Sequence, residues 1–258
     1  MVELVQDGNG KVIGVIAQDK NDDHYIRINA SKGIIVAAGG YATNTDMMLA
    51  LQPMTMEMKV NVPIGSTADG SGIKAMLWAG GKMDPCHASM MFNRASCLPT
   101  ETAGYKTNGK WFWFGEQPFL KVNLEGKRFC NESGPYEFML HSMYLQPSHT
   151  YCDIFDANAK QYAEQFDEVG CCRLTPVDTA PFYGIRTCAW HLTTLDGVRI
   201  NTDMQVLRED GTVIEGLYAT GDCTGGFFAN NYPNLFTGLA CGRTMTFGRR
   251  AAKIVAKL

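Results

Sequence analysis

The sequence is short of most features that would commit a chain to a specialised environment. No apolar stretch approaches the roughly 18 residues that a membrane-spanning helix needs, so no membrane segment is expected. The opening residues, MVELVQDGNG, lack the charged-then-apolar order of a secretory signal, and a cytoplasmic location is expected. Lysine and arginine never gather into a run and the net charge is −3, which gives no reason to expect nucleic acid as a partner. Nine cysteines are present, but no C-x-x-C pair occurs among them. Cys171–Cys172 makes a poor zinc half-site and His87 beside Cys86 has no second ligand pair, so no metal is expected. Such cysteines read as small apolar residues in a reducing compartment.

What is present suits a folded enzyme-sized unit. The 258 residues, 45% hydrophobic and 19% charged, are enough for one large domain or two small ones with a sizeable core. Strands are expected at 2–6, 12–18 and 24–30, separated by DGNG and KNDD turns. KGIIVAAGG follows, a continuous apolar run over Ile34–Ala37 that ends in Gly39–Gly40; this pattern suits a strand buried on both faces of a parallel sheet. STADGSGIKAMLWAGG supplies a capped helix of about ten residues, stopped by Gly80–Gly81. The middle, 85–180, is mixed and aromatic-rich, with a helical stretch at 155–166. From 197, GVRINTDMQVL and VIEGLYAT flank an Asp-Gly turn, and LACGRTMTFGRRAAKIVAKL reads as a helix. Gly242 and Gly248 inside it each cost about 1 kcal/mol relative to alanine, so close packing against another backbone is expected. The fold class is α/β with an α+β cap: residues 1–54 and 186–258 share one layer, and 55–185 form an inserted capping, substrate-facing domain.

One stretch raises a chemical question: GLYATGDCTGGFFANNYPNLFTG, residues 216–238. A strand end lined with glycine and followed by a helix start presents backbone N–H groups and a positive dipole end. That suits an anion, or a heterocycle that becomes anionic on reduction, and Asp222 at the strand tip could accept hydrogen bonds from sugar-like hydroxyls. A plain turn is the alternative.

Several segments carry a resemblance. GLYATGD resembles the GLYAAGE/D segment of FAD-dependent oxidoreductases of the fumarate reductase and 3-ketosteroid dehydrogenase type. GIIVAAGGYATN is similar to that superfamily's A-T-G-G strand, and STADGSGIKAMLWAGG to its T-G-D-G helix start. VNLEGKRFCNESGPYEF resembles V-N-x-x-G-x-R-F-x-N-E, and PFYGI resembles P-F-Y-A-V. The resemblance implies FAD as cofactor, with Asp222, preceded by Gly221, on the ribityl chain. Gly39, Gly40 and the Asp69 region would lie along the cofactor, Asp69 being equally readable as a helix N-cap. Thr237, Gly238 and Leu239 would offer helix-start N–H groups to the flavin pyrimidine. The superfamily normally opens with a G-x-G-x-x-G βαβ unit that binds the ADP half of FAD, and no such unit occurs here. The resemblance therefore implies an incomplete Rossmann-like FAD-binding domain, the C-terminal portion of a longer flavoprotein. Its partner would be the missing N-terminal nucleotide-binding half, and this chain alone would hold FAD weakly.

The same resemblance bears on the reaction. Fumarate reductases place an arginine four residues after the N-E glutamate as proton donor and another ten residues after the GLYAAGE carboxylate as substrate clamp. Here those positions are Tyr136 and Tyr232. A phenol cannot make the bidentate, charge-assisted pair that a carboxylate clamp needs. Tyrosines at both places resemble 3-ketosteroid dehydrogenases and other enone-acting flavoenzymes, whose N-E-x-x-P-Y and Y-P-G-A-G match NESGPYE and NNYPNLFTG. By that resemblance Tyr232 and the Phe236 N–H would polarise a ketone oxygen, and Tyr136 would exchange a proton with the α carbon. The implied substrate is a small molecule with a carbonyl-conjugated C=C. Phe236 stands where the steroid pattern has glycine, which narrows the site. A tyrosine of pKa about 10 acts as an acid at neutral pH without help, whereas as a base it needs about three units of depression, so reduction is the expected direction. His191 lies near the superfamily's His-Thr motif, one residue out of register, and reads either as a site residue or as a satisfied buried histidine. WFWFG (111–115) is expected in the core more than as a substrate platform, and Tyr183 either reaches the pocket or packs. Two other readings remain: a reductase of another small unsaturated acid held by Arg94 or Arg186, and a non-catalytic ligand-binding module. The electron donor is not specified.

Overall fold

A computed structural model describes residues 1–19, 21–60, 66–165, 175–229, 231–233, 236 and 238–257. Strands β1 (Glu3–Gln6), β2 (Val12–Gln18) and β3 (Tyr25–Asn29) form an antiparallel meander, turned by the two expected loops. β4 (Ile34–Val36) lies parallel to β11 (Val213–Ala219), which pairs antiparallel with β10 (Gln205–Leu207). β4 is an edge strand of this three-stranded sheet, and only Val36 of its three residues is buried. The expectation of burial on both faces therefore holds for one residue, because β4 has a partner on one side among the described strands.

Against this layer pack α1 (Thr45–Leu51) and α3 (Ser71–Trp78). Asn44 caps α1 by accepting the Met47 N–H at 3.0 Å, a contact worth about 1 kcal/mol. α3 brings Ile73, Ala75 and Met76 into one core with Val36, Leu217 and Ala219. Its close approach depends on Gly72, where a Cβ would stand 2.5 Å from the Ala38 Cβ. α3 was expected in the cap, but its packing puts it with β4 and β11. The long helix α6 (Leu239–Ala256) follows the expected span.

The cap is built on a five-stranded antiparallel sheet of order β6-β5-β9-β8-β7, comprising β5 (Ser89–Ser96), β6 (Lys110–Trp111), β7 (Leu120–Val122), β8 (Tyr151–Phe155) and β9 (Tyr183–Thr194). α2 (Pro53–Met58) and α4 (Tyr136–Tyr144) supply Met58, Met139, Leu140 and Met143 to a core with Met91 and Tyr151. β9 is continuous across 185/186, so the sheet extends to Thr194, beyond the boundary expected for the cap. α5 (Ala159–Gln165) is shorter than the helix expected at 155–166, since Phe155 ends β8. Its aromatic ring stacks on Phe112 and Tyr183, which accounts for half of the WFWFG run as core and for Tyr183 as packing.

Lys121 and Asp153 are cross-strand partners on β7 and β8, both without solvent exposure. The ammonium meets the carboxylate at 2.5 Å and donates to the carbonyls of Gly115 and Gln117, while Thr187 of β9 donates to the other carboxylate oxygen at 2.6 Å. This pair joins three elements at the centre of the cap.

Candidate active site

β11 delivers Asp222 to the surface through the left-handed turn at Gly221, φ +76°. Its carboxylate is fixed from two sides. Thr193 of β9 donates to Oδ2 at 3.0 Å, and the buried Arg243 of α6 donates to Oδ1 at 2.9 Å. The Arg243 guanidinium lies 4.7 Å and 5.3 Å from the ring centres of Phe228 and Phe227. Neither partner was expected from the sequence. The available signal was a single arginine one turn into a helix, on a face otherwise meant for packing.

Gly39 and Gly238 both adopt positive φ, 73° and 80°, and a Cβ at either would meet open space. Gly40 serves a different purpose: a Cβ there would stand 2.0 Å from the Thr194 Oγ1, so it lets the turn pass β9. Two open backbone surfaces and a carboxylate held in one orientation fit a polyhydroxylated cofactor. Asp69 accepts the Ser71 N–H at 2.9 Å but stands one residue before the N-cap of α3, which is Gly70. Thr237 lies outside the described residues. The Leu239 N–H is taken by the Phe236 carbonyl at 3.2 Å and the Phe236 N–H by the Pro233 carbonyl at 3.0 Å. Both expected donors are thus used within their own turn, so neither serves a ligand in this conformation. The Phe236 ring is 68% exposed and does not narrow the site as expected.

Tyr136 and Tyr232, 96 residues apart, join one cluster with Met90, Phe92, Leu195 and Phe228. Tyr136 opens α4 and packs edge-on to Phe92, ring centres 5.4 Å apart. Its phenol donates to Glu116 Oε2 at 3.1 Å, and Arg94 pairs with the same oxygen. Arg94 lies over Phe92 and Trp113, at 4.7 and 4.3 Å, so that half-exposed Trp113 sheathes an ion pair. Burial and then the Glu116 charge push the Tyr136 phenol above its ordinary range, against the pull of Arg94. Tyr232 packs on Phe228 at 5.0 Å, and its oxygen accepts the Ala240 N–H at 3.4 Å. Glu116 was not foreseen; Arg94 was foreseen in another role.

A β-bulge separates His191 from this face. Met90 pairs with Thr193, but Met91 pairs with His191, leaving Leu192 extra in β9. Cross-strand partners share a face. Met90 belongs to the tyrosine cluster and Met91 to the α4 core, so Thr193 and His191 face opposite sides although two residues apart.

His191 belongs to a buried polar network. Gln52 Nε2 donates to Tyr41 Oη at 2.7 Å, the Ala88 carbonyl at 3.1 Å and Asp196 Oδ1 at 3.2 Å. Its Oε1 accepts the hydroxyls of Ser89 at 2.6 Å and Thr55 at 3.1 Å. Ser89 has one proton, given to Gln52, so His191 Nε2–H must donate to Ser89 Oγ at 2.8 Å. His191 Nδ1 is then a bare, buried lone pair without a partner. Burial pushes the Asp196 carboxyl up, against the hydrogen bonds from His87 and Tyr41.

Burial, then Lys59, lowers the His191 pKa from 6.5 to about 3. The unfolded chain takes up a proton that the folded chain refuses, so the neutral imidazole's contribution is complete above about pH 6.5 and is lost as pH falls towards 3. Between pH 7 and 5 the parent should lose about 2 kcal/mol more unfolding free energy than His191→Gln. Urea titrations at both pH values measure this; parallel losses would mean that His191 charges freely in the fold. The same neutrality makes His191 unsuited to carry a catalytic proton near neutral pH.

The family described as "FAD binding domain" matches residues 1–234. The chain is 26% identical over 336 residues to a 3-oxosteroid 1-dehydrogenase of Mycobacterium tuberculosis, covering 96% of this chain and 57% of that protein. It is 24% identical over 303 residues to an NADH:acrylate oxidoreductase of Vibrio harveyi, covering 97% and 29%. In fold it is similar to the open conformation of a flavocytochrome c3 fumarate reductase, with TM-score 0.75, 21% identity, and coverage of 99% and 51%. The chain thus spans little more than half the length of these proteins, or less. The glycine-lined strand end, its anchored carboxylate and a match over most of the sequence agree: the chain belongs to the FAD binding domain family, and FAD is the cofactor it serves.

Proposed function

We propose that this chain is part of an FAD-dependent oxidoreductase that reduces a carbonyl-conjugated C=C bond. The observation that carries the reading is the meeting of Tyr136 and Tyr232 in one apolar cluster, with the Tyr136 phenol hydrogen-bonded to an arginine-paired glutamate. Asp222, Gly39 and Gly238 would hold FAD, which when bound supplies the hydride. The Tyr232 phenol would donate to the substrate carbonyl oxygen and polarise it. Tyr136 would give its proton to the α carbon and take one back from solvent, while Glu116, 3.1 Å from the phenol oxygen, would orient the hydroxyl. Arg94 keeps Glu116 oriented. The raised Tyr136 pKa favours the acid role over the base role, and hence reduction over desaturation. The Met90–Leu195–Phe228 floor excludes water from the reacting carbons.

A reductase of small unsaturated acids is less well supported, because both candidate arginines are engaged. Arg94 pairs with Glu116, and Arg186 donates to Thr150 Oγ1 at 2.9 Å and to the carbonyls of Leu98 and Pro99. In the complete, flavin-loaded protein, with a reduced artificial donor, turnover of a cyclic enone should exceed that of fumarate by at least about tenfold, since a lost charge-assisted pair is worth about 1.5–3 kcal/mol. Equal or faster fumarate turnover would reverse the assignment. Loaded flavin that neither substrate reoxidises would favour a binding module.

A further inference from the structure

Half of the WFWFG run is core: Phe112 stacks on Phe155, and Phe114 packs edge-on to Phe119. The other half is not. Trp111 and Trp113 are 46% and 45% exposed, with ring centres 6.0 Å apart and planes at 49°. Single exposed apolar side chains are ordinary, but a contiguous aromatic patch marks a surface that something covers.

Strand register fixes the side of the cap on which these indoles lie. Met90 pairs with Thr193 and Phe92 with Trp190, while Ala95 pairs with Cys188 on β9 and with Trp111 on β6. Cross-strand partners share a face, and Cys188 and Trp190 share one by alternation. Trp111 and Trp190 therefore stand on the face that carries Met90 and Phe92 of the tyrosine cluster, together with Thr193, which holds Asp222. Trp111 meets Trp190 edge-on at 5.2 Å. Contacts also lead outward from Tyr136 in short steps. Its ring centre is 5.4 Å from that of Phe92, the Arg94 guanidinium is 4.7 Å from Phe92, and Trp113 is 4.3 Å from that guanidinium on its far side from the tyrosine. The indole pair thus prolongs the candidate site along one face of the sheet.

We infer, on the roles proposed for Tyr136 and Tyr232, that Trp111 and Trp113 form a subsite for an aryl group of the substrate, attached beyond the reacting double bond. With the carbonyl at Tyr232 and the α carbon at Tyr136, an extended substrate continues past Phe92 towards Trp113. A flat ring gains there what a saturated one does not, because offset and edge-on aromatic pairs are favourable beyond the area they bury. Arg94 pairs with Glu116, so this wall has a balanced charge and selects for shape and π surface rather than for an anion.

The test measures binding of 4-phenylbutan-2-one and 4-cyclohexylbutan-2-one to the complete, oxidised, flavin-loaded protein by calorimetry. The two ketones share the carbonyl and the chain, differ in the ring, and have no C=C to reduce. What is read is the ratio of their dissociation constants, in which damage common to both ligands cancels. Trp113→Leu, which keeps an apolar side chain, should shift that ratio against the phenyl ketone by about three- to tenfold, and Trp113→Phe by less than about twofold. Tyr232→Phe should weaken both ketones alike through the lost hydrogen bond to the carbonyl, leaving the ratio as it was. A ratio unmoved by Trp113→Leu, as when the rest of the complete protein covers the indoles, would overturn the subsite, and so would no saturable binding of the phenyl ketone. Weakening of neither ketone by Tyr232→Phe would also overturn it, since the ring would then sit apart from the tyrosines. Reoxidation of reduced flavin by 4-phenylbut-3-en-2-one is the separate check on the reaction: a shifted ratio without reoxidation would remove the reductase assignment and keep the aryl subsite.

Discussion

Replacing Tyr136 by phenylalanine is expected to slow reoxidation of reduced flavin by an enone about 10²- to 10⁴-fold in single-turnover experiments on the complete protein. The ring stays, so the edge-on contact with Phe92 and the packing of the first turn of α4 persist. What is lost is the hydroxyl that joins the substrate carbon to Glu116. Flavin content should be unchanged. Tyr232→Phe should cost on the order of 10²-fold through the lost hydrogen bond to the carbonyl oxygen. Asp222→Ala should differ in kind, lowering FAD occupancy and leaving the Arg243 guanidinium, 1% exposed, without its counter-charge. If both phenylalanine variants reoxidise as fast as the parent, the tyrosines are packing residues and the site lies elsewhere.

The largest expected effect on stability comes from the cap. Lys121→Met should cost about 3–5 kcal/mol, because Asp153 would remain in a site without solvent and without its cation. The loss exceeds what the pair itself contributes, since most of it is the penalty on the abandoned carboxylate. The double variant Lys121→Met/Asp153→Leu should recover much of that loss, as two apolar side chains meet where two charges met. Urea unfolding of the parent, the single and the double variant measures both terms. A single variant within about 1 kcal/mol of the parent would mean that water or a third group reaches Asp153.

The groups legible in the sequence are those set by local pattern. Gly39 and Asp222 sit where apolar strands run out into glycine, and β-branched runs with polar turns marked β1 to β3. The two tyrosines were legible through position within short segments, though nothing local says that a separation of 96 positions closes to bring them together. What escaped reading depends on pairing between distant strands. Glu116 reaches Tyr136 because the 3-10 turn Trp113–Glu116 brings it back beside Arg94 of β5. Thr193 reaches Asp222 because β9 passes the tip of β11. The sequence left two readings of His191 open for the same reason, since periodicity alone places residues 191 and 193 on one face. Backbone hydrogen bonding also hid a competition: the Phe236 and Leu239 N–H groups look free at a helix start and are consumed by the turn before it.

The extra residue in β9 has an evolutionary reading. The bulge lets two residues spaced by two in the sequence serve opposite faces, Thr193 with Met90 and His191 with Met91. Deleting Leu192 would leave both pairings as they are, because Thr193 and His191 would then be consecutive residues of a plain strand, which alternate between faces. The length of β9 at this point is therefore free to vary by one residue while each face of the sheet keeps its chemistry.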